Sequence, residues 1–299
     1  RRSSDLADSL RAHGALTCFL SPFLSGEAEA RILKSGHELR HVNPRHVDAW
    51  GERNRSGGWM VVDTYAATSD DLERLASTTR VAVIDDLADR DLRSASLVIN
   101  PAASSADVRY EVDPRGLLTG SEYALVQSRI ARARDEVIGL RQFPKVPSKV
   151  AVALGGYDTE QQAPSVIEAL LDWDLDVRVA GDVGIQQREG VEWLGMIGPA
   201  DLVRLIEWSD LFVATPSTVA WELATVGAPA ILQQTVANQS LIAAWFREAG
   251  VPVVQRASEI GSVFTSLQAS RAREELSARM AAICDGGGAE RVAIRMLEA

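Results

Sequence analysis

Several features are scarce in this sequence, and each scarcity excludes a class of protein. The two cysteines, Cys18 and Cys284, lie near opposite ends and form no CxxC pair, so neither a disulfide framework nor a zinc knuckle is indicated. No apolar run approaches the roughly 20 residues that a membrane-spanning helix needs. Basic residues are outnumbered, with 31 Lys and Arg against 41 Asp and Glu. The resulting net charge of −10 disfavours a nucleic-acid-coating protein but is compatible with a small anionic ligand.

Apolar material, by contrast, is ample. The chain has 299 residues, of which 46% are hydrophobic, and this length predicts roughly two domains of about 100–200 residues each. Domains of that size bury full hydrophobic cores without a disulfide or a structural metal. The chain begins at Arg1 and shows no signal peptide. We therefore expect a soluble cytoplasmic protein that needs neither a disulfide nor a structural metal.

Short apolar runs alternate with amphipathic stretches along the chain, which is typical of βαβ units and a parallel sheet. Continuous apolar runs such as 59–62 and 211–214 predict buried parallel strands. Residues 139–149 carry two prolines without periodicity and predict a linker. The sequence thus predicts an α/β fold of two Rossmann-like domains, 1–142 and 143–299. Ligands are expected in the cleft between these domains, outside the carboxyl ends of the strands.

The segment from His37 to His41 spells HExxH, the pattern of zinc proteases. That chemistry requires a helix, so that both histidines lie on one face. Here Gly36 ends a helix and Pro44 follows closely, which predicts a short strand or loop. In a strand the two histidines would lie about 13 Å apart along the chain. The motif therefore does not predict a metal site.

Two segments after predicted strands could bind phosphate groups. Gly155 and Gly156 lie between a strand and a helix, where the backbone can approach a diphosphate. Ser217 and Thr218 open another helix and offer hydroxyl and N–H groups, and Glu222 lies one turn further, where it could accept hydrogen bonds from a ribose. Each segment alone can also be an ordinary turn or helix cap. Together they favour a nucleotide diphosphate in the second domain.

Polar residues also follow strands elsewhere. Asp63 and Tyr65 come after the apolar run 59–62 and could face a ligand cleft, or could form a turn. Asp85-Asp86 ends the next strand and could orient a base, but turn capping is the simpler explanation. Asn238 precedes a helix, where a binding role and an N-cap are equally compatible with the sequence.

Eight blocks, in the same order over essentially the whole chain, resemble the PseG/SpsG family of nucleotide-sugar hydrolases, relatives of the MurG-type GT-B glycosyltransferases. Each block is short, but the ordered set is fairly specific. The blocks are Val-Val-Asp-Thr-Tyr (61–65), Ile-Asp-Asp-Leu-Ala-Asp-Arg (84–90), Val-Ile-Asn-Pro (98–101), Gly-Ser-Glu-Tyr-Ala-Leu (120–125), Leu-Gly-Gly-Tyr-Asp (154–158), Ser-Thr-Val-Ala-Trp-Glu-Leu-Ala (217–224), Asn-Gln (238–239) and Asp-Gly-Gly-Gly-Ala-Glu-Arg (285–291).

The resemblance implies a GT-B fold that holds a UDP-linked sugar, mainly through the nucleotide candidates of the C-terminal domain. Tyr65 and Asn238 match family positions near the transferred sugar and the reacting water, and Asp63 is grouped with them as a catalytic candidate. The implied reaction is hydrolysis of a UDP-linked amino or deoxy sugar at the anomeric carbon. No metal or redox cofactor is implied, and neither nucleic acid nor a membrane is an expected partner.

Two other functions are compatible with the same donor site. One is a GT-B glycosyltransferase that moves a sugar from a nucleotide-diphosphate donor to a small-molecule acceptor. The other is a nucleotide-sugar-binding protein without catalytic activity.

The chain departs from the family pattern at several positions. The family opens with a strand and a Gly-x-Gly-His-x-x-Arg loop, and Arg2 matches the loop's arginine. Either the strand, the glycines and the histidine precede Arg1, or the protein lacks them and is not that hydrolase. Tyr157 replaces the usual small hydroxyl residue after the glycine pair, and Gln127 stands where the family usually has arginine. With Arg2 and Tyr157, Gln239 completes the set of residues that we expect to contact the substrate.

Overall fold

The computed structural model of the chain describes residues 2–21, 24, 26–42, 58–103, 110–154, 159–181 and 189–299. Within the described residues, strands and helices alternate along much of the chain. The strands are β1 (Cys18–Ser21), β2 (Glu38–His41), β3 (Trp59–Val62), β4 (Arg80–Ile84), β5 (Leu97–Asn100), β6 (Leu117–Thr119), β7 (Lys149–Ala153), β8 (Asp176–Ala180), β9 (Val191–Gly195), β10 (Leu211–Ala214), β11 (Ala230–Gln233) and β12 (Val253–Val254). The helices are α1 (Arg2–Ala12), α2 (Gly26–Lys34), α3 (Ser69–Ala76), α4 (Ser128–Leu140), α5 (Thr159–Glu168), α6 (Pro199–Trp208), α7 (Thr218–Thr225), α8 (Ser240–Glu248), α9 (Ile260–Ser266), α10 (Ser270–Ile283) and α11 (Gly288–Glu298).

The chain divides into two compact units. The first contains Arg1–Leu125 together with Gly287–Ala299, and the second contains Val126–Gly286. The division places α4 in the second unit and α11, the last helix of the chain, in the first. These limits differ from the domain boundary expected between residues 142 and 143, which stays a prediction.

The first unit contains a four-stranded parallel sheet in the order β3-β4-β5-β6, and β1 pairs with β2 in a separate parallel pair. Successive side chains of a strand point to opposite faces, so each strand supplies two cores. Ala82, Ile84 and Ile99 pack on one face with Val292 and Met296 of α11. The alternate residues of the same strands, Val81, Val83 and Val98, pack on the other face with Leu72 and Leu75 of α3. The C-terminal helix therefore completes a core whose strands lie about 200 residues earlier in the chain.

The His37–His41 segment lies in this unit, and its structure excludes the zinc-protease geometry. Glu38 to His41 form β2, as the flanking Gly36 and Pro44 predicted. His37 is buried, its Nδ1 lies 2.5 Å from Thr17 Oγ1, and its Nε2 lies 2.8 Å from Asp8 Oδ1. His37 is therefore a hydrogen-bonded residue of the first unit.

The second unit contains a six-stranded parallel sheet in the order β12-β11-β10-β7-β8-β9. Beginning at β7, the chain adds β8 and β9 on one side, and then returns to add β10, β11 and β12 on the other. This is the strand order of a Rossmann fold, and β7 and β10 flank the point at which the order reverses. Loops after these two strands therefore lie at the position where Rossmann sheets bind ligands.

We predict that the last helix carries much of the stability of the first unit. Met296 is 1% exposed and Ile294, on the same helix, is 39% exposed. Met296→Ala should lower the free energy of unfolding of this unit by about 2–5 kcal/mol, because it leaves a cavity in a closed core. Ile294→Ala should change the same quantity by less than about 0.5 kcal/mol. Urea denaturation of both variants checks this, and equal losses would contradict the proposed packing role of α11.

Candidate functional site

The loop after β10 brings two of the predicted phosphate contacts to the start of α7. Ser217 is the N-cap residue with an extended backbone, and no side chain in the described part of the molecule caps this helix start. Thr215 is buried, and its Oγ1 lies 3.1 Å from Ser217 Oγ. Ser217 and Thr218 are partly exposed, whereas the residues on either side of them are buried. The first N–H groups of α7 therefore lack side-chain caps, and the positive end of the helix dipole favours an anion there.

The neighbouring strand β7 lies beside β10, and Ala153 pairs with Ala214 at their carboxyl ends. The residue after β7, Leu154, is buried, and its carbonyl oxygen accepts a hydrogen bond from Thr215 Oγ1 at 3.5 Å. The predicted contacts Gly155, Gly156 and Tyr157 follow directly and lie outside the described residues. The pairing of β7 with β10 therefore places Leu154, at the start of the first predicted phosphate loop, next to Thr215, in the second loop, at one edge of the sheet.

Glu222 lies on the second turn of α7, at i+4 from Thr218, so both side chains belong to one face of the helix. Glu222 is fully buried, and its Oε1 accepts a hydrogen bond from Gln127 Nε2 at 3.0 Å. Gln127 is 8% exposed and precedes α4. No local pattern in the sequence indicates this pair, because the two residues lie 95 positions apart.

Asn238 and Gln239 follow β11, the strand next to β10. The Oδ1 atom of Asn238 is buried, and among the described residues it has no hydrogen-bond partner. Gln239 has a structural contact, since its Oε1 accepts a hydrogen bond from the backbone N–H of Thr235 at 2.9 Å. The two adjacent amides therefore differ, because the Asn238 Oδ1 has no partner among the described residues and the Gln239 Oε1 is engaged in the turn.

In the first unit, Asp63 and Tyr65 follow β3 as expected. Tyr65 is 52% exposed, yet its hydroxyl donates a 2.7 Å hydrogen bond to Oδ2 of the buried Asp86 after β4. An exposed phenol is thus held in place by a buried carboxylate at the carboxyl end of this sheet. The remaining first-unit candidate, Arg2, is the first residue of α1, and its side chain lies outside the described part of the chain.

Asp85 has a structural role, and this confirms the turn-capping interpretation for the first of the two adjacent acids. Its Oδ2 accepts hydrogen bonds from the Tyr110 hydroxyl at 2.6 Å and from the Ala88 N–H at 2.7 Å. Arg90 Nη2 lies 3.6 Å from Asp85 Oδ1. Burial and the hydrogen bond to Asp85 raise the pKa of Tyr110 well above its usual value. These contacts hold the loop after β4 in place. In the sequence, the acid-rich block 84–90 is the pattern that indicates this loop.

The contacts of Tyr110 predict an alkaline loss of stability. A phenol whose pKa is raised on folding contributes stability that is complete below the unfolded pKa of about 10 and is lost as the pH rises above it. Tyr110→Phe should cost about 1–2 kcal/mol at pH 7, because Asp85 loses a donor, and should flatten the fall in stability above pH 10. Denaturant unfolding at pH 7 and pH 10.5 measures both effects. Tyr123→Phe serves as the control, and an unchanged slope for Tyr110→Phe would contradict the assignment.

Comparison with known proteins gives similarity in structure only. No protein-family profile matches the sequence. No curated protein matches it in sequence. Within the described residues, no helix is long and apolar enough to cross a membrane.

Solved structures match the chain over nearly its whole length. Acinetobacter baumannii MurG is 12% identical, with 100% of this chain and 95% of that chain covered and a TM-score of 0.65. Anabaena HepE, solved with UDP and glucose, is 14% identical over 99% of this chain and 94% of that chain, with a TM-score of 0.62. Neisseria meningitidis UDP-GlcNAc 2-epimerase, bound to UDP-GlcNAc, is 10% identical over 100% of this chain and 98% of that chain, with a TM-score of 0.64.

These similarities confirm the predicted fold class, an α/β protein with two Rossmann-like domains of the GT-B type. The fold serves more than one reaction, since an epimerase shares it with proteins described as glycosyltransferases. Membership of the PseG/SpsG hydrolase family, which the sequence blocks suggest, stays a prediction.

Proposed function

We propose that this chain is a glycosyltransferase that moves a sugar from a UDP-sugar donor to a small-molecule acceptor. The observation that carries the proposal is the helix start at Ser217, which lies without a side-chain cap at the reversal point of the second sheet. Structures of the same fold that contain UDP with glucose, or UDP-GlcNAc, support this ligand class. The acidic net charge is compatible with it, because backbone N–H groups and hydroxyls can hold a diphosphate without surface lysines.

In this proposal the second unit binds the donor. Ser217 and Thr218 donate hydrogen bonds to the diphosphate through their hydroxyls and the first N–H groups of α7, and Gly155 and Gly156 let the backbone approach its other side. Glu222, on the same helix face as Thr218, accepts hydrogen bonds from ribose hydroxyls. Glu222 is fully buried, so a ribose can reach it only if the side chains that cover it move.

The remaining candidates act on the sugar and its acceptor. Asn238 binds the transferred sugar through its Oδ1 atom, while Gln239, Tyr157 and Arg2 stay predicted substrate contacts. In the first unit, Asp63 takes the proton of the attacking hydroxyl, and Tyr65, held by Asp86, orients that hydroxyl.

The proposed reaction is a substitution at the anomeric carbon. The acceptor oxygen forms a bond to this carbon while the bond from the carbon to the diphosphate oxygen breaks. The leaving electron pair stays on the diphosphate, and the acceptor proton passes to Asp63. Preorganised N–H and hydroxyl donors at the start of α7 stabilise the charge that develops on the leaving group.

A second candidate function is hydrolysis of a UDP-linked amino or deoxy sugar, which the eight ordered sequence blocks favour. Water then replaces the acceptor hydroxyl, and the donor site is the same. The two functions differ in one measurable property, namely whether UDP release depends on an acceptor.

Ser217→Ala tests the diphosphate site directly. We expect the affinity for UDP to fall about tenfold, because one hydrogen bond to a charged group is lost. Affinity for uridine, which has no phosphate, should not change. Isothermal titration calorimetry with both ligands measures this, and Ser262→Ala, at an exposed serine of α9 in the same unit, is the control. Equal losses of affinity for UDP and uridine would argue against a phosphate contact.

UDP release distinguishes the two functions. UDP-glucose and UDP-GlcNAc are each incubated with the full chain, with and without a panel of hydroxyl-bearing small molecules. Release that requires an acceptor supports the transferase, and equal release into water alone supports the hydrolase. A chain that binds UDP but releases none from either donor under any of these conditions would contradict both reactions with these two donors.

A further inference from the structure

A cavity of about 430 Å³ lies at the amino edge of the second sheet, where β7 and β10 begin. The candidate donor site lies at the opposite edge, since Ser217 follows the carboxyl end of β10. A cavity of this volume can hold a small molecule. It is lined by Gln142, Phe143, Pro144, Ser148, Lys149 and Asp210.

Two arginines adjoin this cavity. Arg141 directly precedes the lining segment that begins at Gln142. Arg273, on α10, is fully buried, and its Nη2 donates to the carbonyl oxygen of Pro144 in the cavity wall. The Nη1 atom of Arg273 also donates to the carbonyl oxygens just before α10, at 2.7 and 2.6 Å. Arg273 therefore attaches the cavity wall to the turn before α10.

The Arg141 guanidinium, by contrast, has almost no hydrogen bonds. Its Nη1 lies 3.5 Å from the Ser209 carbonyl oxygen, which is the outer limit for such a bond. Its Nε and Nη2 atoms are buried, and among the described residues they have no hydrogen-bond partner. These two nitrogens form one edge of the planar guanidinium. One whole edge of Arg141, with two parallel N–H bonds, therefore lacks acceptors in the described part of the chain.

The charges around the cavity are unbalanced. In the described part of the molecule, neither guanidinium has a carboxylate within ion-pair distance. Burial lowers the pKa of Arg141 to about 10 and also lowers that of Arg273, and the charge of Asp210 only partly opposes this. Asp210 Oδ2 is itself bound by the backbone N–H groups of Ser148 and Lys149, at 2.9 and 3.0 Å. The cavity and the arginines beside it thus carry three cations and one carboxylate, an excess of positive charge that an anion would balance.

We propose that this cavity binds the phosphate group of a small molecule, which Arg141 holds with the Nε–Nη2 edge of its guanidinium. Two parallel N–H bonds match two oxygens of a phosphate, and arginine is the side chain best suited to this bidentate contact. Turning this edge toward the anion breaks no hydrogen bond with a described residue, because Nε and Nη2 have no partner there. Lys149 and Arg273 add positive charge. The site is independent of the proposed glycosyltransferase function.

Thermal unfolding of the full chain tests the proposal, with inorganic phosphate as the probe and sodium chloride of equal ionic strength as the reference. Tryptophan fluorescence follows the second unit, because five of the seven tryptophans lie in it. We expect phosphate to raise the melting temperature by about 2–5 °C at ten times its dissociation constant, with saturation. Phosphate salts also stabilise proteins in general, so the decisive quantity is the part of the shift that depends on Arg141.

Arg141→Gln removes the charged edge and should abolish the saturable shift while leaving the affinity for UDP unchanged. Arg141→Lys keeps the charge but loses the bidentate edge, and should retain less than half of the shift. Lys145→Gln is the matched control, because Lys145 is an exposed cation of the same segment that does not line the cavity. This variant should keep the wild-type shift, and so should Ser217→Ala at the other edge of the sheet.

Four outcomes would overturn the inference. If the wild type melts at the same temperature in phosphate and in chloride, the cavity binds no phosphate. If Arg141→Gln keeps the full shift, Arg141 does not hold the anion. If Lys145→Gln loses as much of the shift as Arg141→Gln, the effect reflects net charge alone. If Ser217→Ala loses the shift and Arg141→Gln keeps it, the phosphate occupies the candidate donor site instead.

Discussion

The parallel pairing of β7 with β10 is the constraint on which the candidate donor site depends. The strands of a parallel sheet run in the same direction, so their carboxyl ends lie at one edge of the sheet, where the connections to the next elements begin. At this pair the chain reverses the side on which it adds strands, and Rossmann sheets bind their ligands at such a point. The loop after β10 lies at this point, and Ser217 and Thr218 within it are partly exposed.

A second consequence concerns charge. The chain carries a net charge of −10, and the described loops at the edge of the second sheet present hydroxyls, amides and helix N–H groups at the positions expected to meet a diphosphate. Oriented dipoles carry no net charge, and they need little reorganisation when an anion binds.

In the first unit, hydrogen bonds to two buried acids support the loop after β4. Asp85 accepts hydrogen bonds from the Tyr110 hydroxyl and the Ala88 N–H, and Asp86 accepts one from the Tyr65 hydroxyl. Two adjacent acids thus have separate tasks, one inside the loop and one toward an exposed side chain.

Buried strands with continuous apolar sequence, such as β4 and β10, could be predicted because burial on both faces requires it. The half-buried β9, with Glu192 and Trp193 in a strand that has only one neighbour, offers no such pattern. Ser217 could be proposed from its place between a strand and a helix. Gln127 could not be paired with Glu222, because the hydrogen bond joins residues that only the packing of α4 on α7 brings together.

By itself the sequence determined the fold class and the residues that end each main strand, since apolar runs and turn residues act locally along the chain. Only the tertiary structure decided which strand ends are neighbours, that α11 belongs to the core of the first unit, and that Asp85 and Asp86 differ in role. These features depend on contacts between residues far apart in the chain. Such contacts follow from the order in which strands pair and helices pack, and no local pattern of residues encodes that order.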